Sequence, residues 1–231
     1  MTEASAAGVF LIALPLAFNA FFVLLGWRFD YPNILRSPTE DILNRFQAGG
    51  VGLKLLWYGF MLTAVLFAPL VVLLGQVLAS DDLAVLPTAI IVGVLASVVQ
   101  FLGLARWPFL VPALARSYTD PASTPATRDA TKAVFDSFNR YLGVGVGECL
   151  GYLLTGAWSV LTGVAMLHSS HFESWLGWVG IIIGLFLVVG SFEFVGRFEK
   201  EGWKLAAAIV PIAYIAWSLW LIVSGLILLF G

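Results

Sequence analysis

Charged side chains are scarce in this 231-residue sequence, at 11% of residues, against roughly 25% in an average soluble domain. Histidine occurs twice and cysteine once, at Cys149. A lone cysteine excludes an internal disulfide and leaves the redox compartment unreadable. There is no H-E-x-x-H zinc motif, no G-x-S-x-G nucleophile turn, and no glycine-rich phosphate loop ending in Lys-Ser/Thr. Metalloprotease, serine hydrolase and nucleotide chemistry therefore lack their usual residues. Neither histidine falls in an apolar run, so haem between facing spans has no ligands, and no cofactor is expected. A formal net charge of −2 argues against a nucleic-acid partner. The N-terminus lacks the basic region of a signal peptide, so the first apolar run is expected to be retained.

What is abundant is apolar: 60% of residues, with a mean hydropathy of +0.95. Such a chain needs a lipid solvent. Crossing a hydrocarbon core takes about 20 apolar residues, and six runs qualify: Gly8 to Trp27, Val51 to Leu78, Leu86 to Leu110, Tyr141 to Leu167, Trp175 to Val195 and Leu205 to Phe230. Lipid offers the backbone no partner, which favours helices. Barrel strands alternate in polarity, and these runs do not. The expected fold is an all-α integral membrane protein, one domain over residues 1–231, with six transmembrane helices in three hairpins (8–78, 86–167 and 175–230).

The connections alternate in charge. Arg28, Arg36, Arg45 and Lys54 lie between spans one and two. Arg106, Arg116, Arg128, Lys132 and Arg140 lie between three and four, and Arg197, Lys200 and Lys204 between five and six. These are all twelve basic residues. The N-terminus, the Ala79 to Val85 turn, the His168 to Ser174 turn and the C-terminus hold none. The positive-inside rule then predicts both termini outside and three cytoplasmic connections. Trp27, Trp107, Trp175, Trp178 and Trp203 fall near span ends, as an aromatic belt would. The outside turns are short and Asp81-Asp82 stand alone there, so no outside domain is expected.

The first two basic connections match each other. Trp27 to Ser37 and Trp107 to Ser117 share W-x-F-x-x-P-x-[IL]-x-R-S, and Asp41 to Phe46 matches Asp136 to Tyr141. The match continues into Gly50-Val51-Gly52 and Gly145-Val146-Gly147. The offset grows from 80 to 95 residues, a 15-residue insertion in the second copy. The first two hairpins are therefore expected to be a duplication, parallel about an axis along the membrane normal. Phe192 to Phe198 is too little to make the third hairpin another copy. Ser37-Pro38-Thr39-Glu40 reads as a capping box, and Thr124-Pro125 as a second helix start. Val134, Phe135, Phe138, Tyr141 and Leu142 share one helix face, which fits a helix at the cytoplasmic interface running into span four, and equally a span helix that extends past the membrane.

Span four carries Gly143, Gly147, Gly151, Thr155, Ser159 and Gly163 at four-residue intervals. That stripe predicts a tight helix-packing seam, within the bundle in preference to between subunits. Pro69 and Pro211 inside spans predict kinks.

Ionisable residues within spans default to functional candidates. Glu148 leads, about 12 Å beyond Arg140 at α-helical rise, with Tyr152 one turn deeper. Glu193, Lys54 and Arg106 sit at a similar depth, and Asn44 and Asn139 are repeat-related. Together they predict a polar vestibule open to the cytoplasm, with Glu148 paired to Lys54 or Arg106. The competing reading is a structural ion pair. Asn19 and Gln100 lie deeper, lining a path or bonding between helices. His168, His171 and Glu173 are weak metal candidates, with no distant ligand specified. Cys149 adjoins Glu148 but has no histidine on its side.

The stretches F-D-Y-P-N-I-L-R (Phe29 to Arg36), F-N-R-Y-L-G (Phe138 to Gly143) and G-E-C-L-G-Y-L-L-T-G (Gly147 to Gly156) resemble a bacterial family of small multi-pass proteins, domain of unknown function 4386. The resemblance implies a bacterial inner-membrane protein and carries no activity with it. Three functions compete. The first is a binding or transport module for a small molecule, ion or lipid, with Glu148 at its centre. The second is an accessory or sensory protein that acts through a membrane partner or as a homo-oligomer. The third is a lipid-modifying enzyme with Glu148 as base near Cys149 or Tyr152. Transport and binding lead, and enzyme action is disfavoured because no second convergent group is specified.

Overall fold

Backbone in lipid must bond to itself, and the long apolar runs do so as helices in the computed structural model of the protein. The structure describes residues 2–79 and 84–231, so Asp81 and Asp82 lie outside the described residues. No strand occurs among the described residues. The long helices are α1 (Glu3–Phe29), α3 (Gly50–Val77), α4 (Val85–Phe109), α7 (Gly151–Met166), α8 (Ser174–Gly190) and α9 (Lys204–Phe230). The shorter ones are α2 (Thr39–Ala48), α5 (Val111–Thr119) and α6 (Pro125–Phe138), and a π-helix (Asn139–Leu150) joins α6 to α7.

Among the described residues, five helical segments are long and apolar enough to cross a membrane: α1, α3, Val85–Thr119, Pro125–Met166 and α9. The sixth apolar helix, α8, has 17 residues, about 25 Å at 1.5 Å per residue. The run expected to reach Val195 stops at Gly190. The chain turns there, and the Trp203 N–H donates to the Glu193 carbonyl at 2.7 Å. Large apolar side chains point outward all round, among them Leu16, Ile91, Leu185 and Ile212 at 53–69% exposure. Outward apolar surface on this scale requires a nonaqueous surround. The chain is an all-helical, multi-pass membrane protein.

Each long helix packs against its neighbours in sequence, and α9 returns to α1, so the six helices close a ring. Glycines set its tightest crossings. A Cβ on Gly156 would lie 2.5 Å from the Gly184 oxygen, and one on Gly163 the same distance from the Gly177 oxygen. A Cβ on Gly103 would lie 2.6 Å from Gly147 Cα, and one on Gly225 2.7 Å from the Gly8 oxygen. In lipid, close packing and hydrogen bonds drive helix association in place of apolar burial. The six-residue stripe of span four is therefore not one seam. Gly143, Gly147 and Gly151 face Arg106, Gly103 and Gln100 on α4, whereas Gly163 faces α8. Along α7, four residues overshoot a 3.6-residue turn by about 40°, so from Gly151 onward the stripe winds from one neighbour to the next. Its contacts are all within the ring.

The three basic connections meet at one end. Thr39 Oγ1 donates to Asp136, and Arg140 pairs with Glu199. Helices α2, α5 and α6 pack together over this end. They enclose a core in which Trp57 and Trp107 stack at 4.3 Å and 9°, with Phe29 edge-on to both. Trp107 is thus 1% exposed and does not join an aromatic belt, whereas its repeat counterpart Trp27 is 79% exposed. The capping box at Ser37–Glu40 is not formed either: α2 starts with Pro38 at its cap and no side-chain bond. The second start does form, with Thr124 accepting from the Thr127 N–H. Of the expected apolar face only Phe135 is buried; Val134 and Phe138 on α6 and Tyr141 on the π-helix point outward.

Candidate functional site

A cavity of about 370 Å³ opens inside the ring near its basic end. It gathers Glu148, Tyr152, Arg106, Glu193 and Asn139 of the expected vestibule, together with Asn19 and Gln100, expected deeper. Lys54 and Asn44 lie elsewhere. Only Phe60 of α3 reaches the cavity, and Lys54, six residues away, is about 120° round the helix. Asn44 is on the exposed face of α2, opposite the buried Ile42, Leu43 and Phe46.

The π-helix explains how these residues come together. On an α-helix, nine residues turn through 900°, placing Asn139 and Glu148 on opposite faces. Bonds from i to i+5 widen the turn to roughly 4.4 residues, so nine residues make about two full turns. Asn139, Gly143, Gly147, Glu148 and Tyr152 then all line one cavity. The Gly143-Val144-Gly145-Val146-Gly147 run is intrinsically weak in helix propensity. Contacts across to α4 can therefore decide its pitch.

Arg106 is the most enclosed charge, at 8% exposure. Its Nη1 donates to the Gly103 carbonyl and its Nη2 to Asn139 Oδ1 at 3.1 Å, while its buried Nε has no partner. The guanidinium lies over the Trp107 ring at 5.3 Å and against Gly143, where a Cβ would sit 2.6 Å away. The expected pairing of Glu148 with Arg106 or Lys54 is not made. Among the described residues the ion pairs are Arg45–Asp30, Lys132–Asp129 and Arg140–Glu199. Tyr152 does not hydrogen-bond Glu148; it packs against Tyr214 at 5.6 Å.

The deeper polar residues bond between helices. Asn19 Nδ2 donates to Ser218 Oγ at 2.9 Å, and Gln100 Nε2 to Thr155 Oγ1 at 2.8 Å. Beyond them, Phe67, Trp158, Trp217 and Trp220 pack edge to face and close the far half of the ring. The Trp217 indole donates to Ser159 Oγ at 3.0 Å, so this aromatic plug is pinned to α7.

Sequence reading missed Tyr31, Arg36 and Tyr214, which also line the cavity. The first two stand inside the repeated motif, so the signal was present. Burial, and then the nearby Glu148, push the Tyr31 phenol up to about 12, so it is an uncharged donor at neutral pH. Pro211 was expected to kink span six. It lines the cavity with Ala207, whose carbonyl it deprives of the i+4 donor.

His168 Nδ1 contacts the Val164 carbonyl at 3.0 Å at the end of α7. Among the described residues, no three His, Cys, Asp or Glu side chains come together as metal ligands. His168, His171 and Glu173 remain an exposed turn. Cys149 is half-buried and not among the residues lining the cavity.

The sequence profile of a family described as Domain of unknown function (DUF4386) matches residues 6–225, nearly the whole chain. No curated protein and no solved structure matches it.

Proposed function

Because the chain belongs to the DUF4386 family, whose function is unknown, we propose its role from the cavity: it is a membrane receptor site or carrier that holds a small ligand between helices. The observation that carries this reading is the convergence of Arg106, Glu148, Tyr31 and Asn139 on one space of about 370 Å³. Binding pockets are typically 300–1,000 Å³, mostly apolar, with a few convergent polar groups. Phe18, Phe22, Leu104 and Val210 supply the apolar wall.

In this reading α8 is the sixth span, and both termini lie on the outer face of a bacterial inner membrane. The gathering of all three basic connections at one end supports a cytoplasmic mouth. Each of α1–α3 and α4–α7 runs long helix, short helical connection, long helix, which is compatible with a duplicated hairpin, although the second connection holds α5, α6 and the π-helix where the first holds α2. Transport additionally requires the Phe67, Trp158 and Trp217 plug to move, so reversible binding is the minimal function.

The accessory reading has less to stand on, since the glycine stripe is occupied by contacts inside the ring. The enzyme reading keeps Tyr152 beside Glu148 but not Cys149, which does not line the cavity. The test is native mass spectrometry of the protein released from native-membrane nanodiscs. A retained small molecule or lipid that is lost in Glu148→Gln supports the site. A bare protein from every preparation refutes it, and a second protein in fixed ratio promotes the accessory role.

A further inference from the structure

We infer that the cavity takes a small zwitterion, with its anionic group at Arg106 and its cationic group at Glu148. This rests on reading the cavity as a ligand site.

Four charged side chains line the one space: Arg36 and Arg106, Glu148 and Glu193. Two cations and two carboxylates leave no net charge. Yet no ion pair among the described residues joins any of them. Unpaired charge inside a bundle is costly and is retained where it has work to do. A simple anion at Arg106 would face Glu148 as a like charge, and a simple cation at Glu148 would face Arg106. One molecule bearing both charges satisfies both groups.

The chemistry at each end fits. Arg106 has five donor hydrogens, and hydrogen bonds from Nη1 and Nη2 to Gly103 and Asn139 account for two of them. A planar guanidinium suits a carboxylate or phosphate. The guanidinium in its present position uses the space left by the missing Cβ of Gly143. Among the described residues, no side-chain hydrogen bond reaches the Glu148 carboxylate. Tyr152 and Tyr214, in contact at 5.6 Å, stand on the same wall, and aromatic faces beside a carboxylate favour ammonium groups.

The volume admits a headgroup or an amino-acid-sized solute and excludes a whole lipid. Two sources share this chemistry. A free solute can enter at the basic end, past the exposed Arg36. A lipid headgroup can enter from the flank, where Pro211 and Ile215 line the cavity and are also exposed.

The experiment is calorimetric titration of the full chain in nanodiscs of phosphatidylglycerol alone. One probe is phosphoethanolamine, with ethyl phosphate and ethanolamine as its single-charge fragments. The other is glycine betaine, with acetate and tetramethylammonium as its fragments. At least one zwitterion should bind tenfold or more tighter than either of its fragments, since each end adds a charge-assisted bond. Glu148→Gln, an isosteric change, should erase the advantage over the anionic fragment, and that fragment, relieved of a like charge, should bind at least as tightly as before. Arg106→Lys should weaken the zwitterion and the anion together. Repeating the titration in phosphatidylethanolamine nanodiscs separates the sources: tenfold weaker binding marks the lipid headgroup as occupant, and unchanged binding marks a free solute. A fragment that binds as tightly as its zwitterion overturns the inference and leaves a ligand site standing. So does a failure of all six probes where native mass spectrometry finds a ligand of another class. All six failing, with a bare protein from native membranes, overturns both readings.

Discussion

The crossing of α4 and the π-helix sets the spacing of the cavity's two most enclosed charges, and one methyl group tests it. In Gly103→Ala the added carbon would lie 2.6 Å from Gly147 Cα, 3.0 Å from the Leu142 oxygen and 3.2 Å from Gly147 N. All three are backbone atoms, so no side chain can rotate away. Reaching ordinary contact at 3.4 Å needs a shift of about 0.8 Å between the two helices. Overpacking of this kind costs about 1–3 kcal/mol, and the backbone character of the contact places it at the upper end. Replacing glycine in a helix by alanine returns about 1 kcal/mol. The net expectation is a loss of about 2 kcal/mol. Gly52→Ala is the matched control: the same methyl on α3, with nothing within 4 Å. It should be neutral or stabilising by up to about 1 kcal/mol. The assay is unfolding in mixed micelles on titration with dodecyl sulfate, followed by tryptophan fluorescence. Ligand affinity should fall in Gly103→Ala as well, because Arg106 and Glu148 flank the displaced crossing. Equal stability of the two variants, within about 0.5 kcal/mol, would refute the close crossing and the cavity geometry built on it.

Ser159→Ala leaves the Trp217 indole N–H without its acceptor and should cost about 1 kcal/mol by the same unfolding assay. Alkaline phosphatase fused after Gly231 should be active and a fluorescent-protein fusion there dark, whereas the reverse pattern would invert the proposed orientation. Tyr31 is raised from 10 to about 12 by burial, so its neutral form is favoured in the folded protein. Its contribution is complete below pH 10 and is lost as pH rises towards 12. Tyr31→Phe should therefore flatten the fall in unfolding midpoint across that window and leave it unchanged between pH 7 and 9.

Composition and run length determined the membrane class, because nothing but lipid accommodates 60% apolar residues with so little charge. They also placed α1, α3, α4 and α9 to within a few residues at the membrane boundaries, since polar residues end the runs. The placement of the basic residues was likewise a property of the chain alone. So was much of the cavity, because a polar side chain in a span is conspicuous whichever way it faces. What sequence could not supply was the facing. Lys54 and Arg106 look alike as basic residues near span ends. Only the packing of α3 and α4 turns Arg106 inward and leaves Lys54 out of the cavity. Trp27 and Trp107 occupy matched motif positions, yet one is exposed and the other stacks on Trp57. The glycine stripe looked like one seam because four-residue spacing is close to a helical turn; its drift becomes visible only when both neighbours are in place. The π-helix is the sharpest case. A Gly-Val repeat is weak in any helical register, so local sequence leaves the pitch open. Contacts with Gly103 and Arg106 on α4 select the wide turn, and the wide turn brings Asn139 and Glu148 to the same wall.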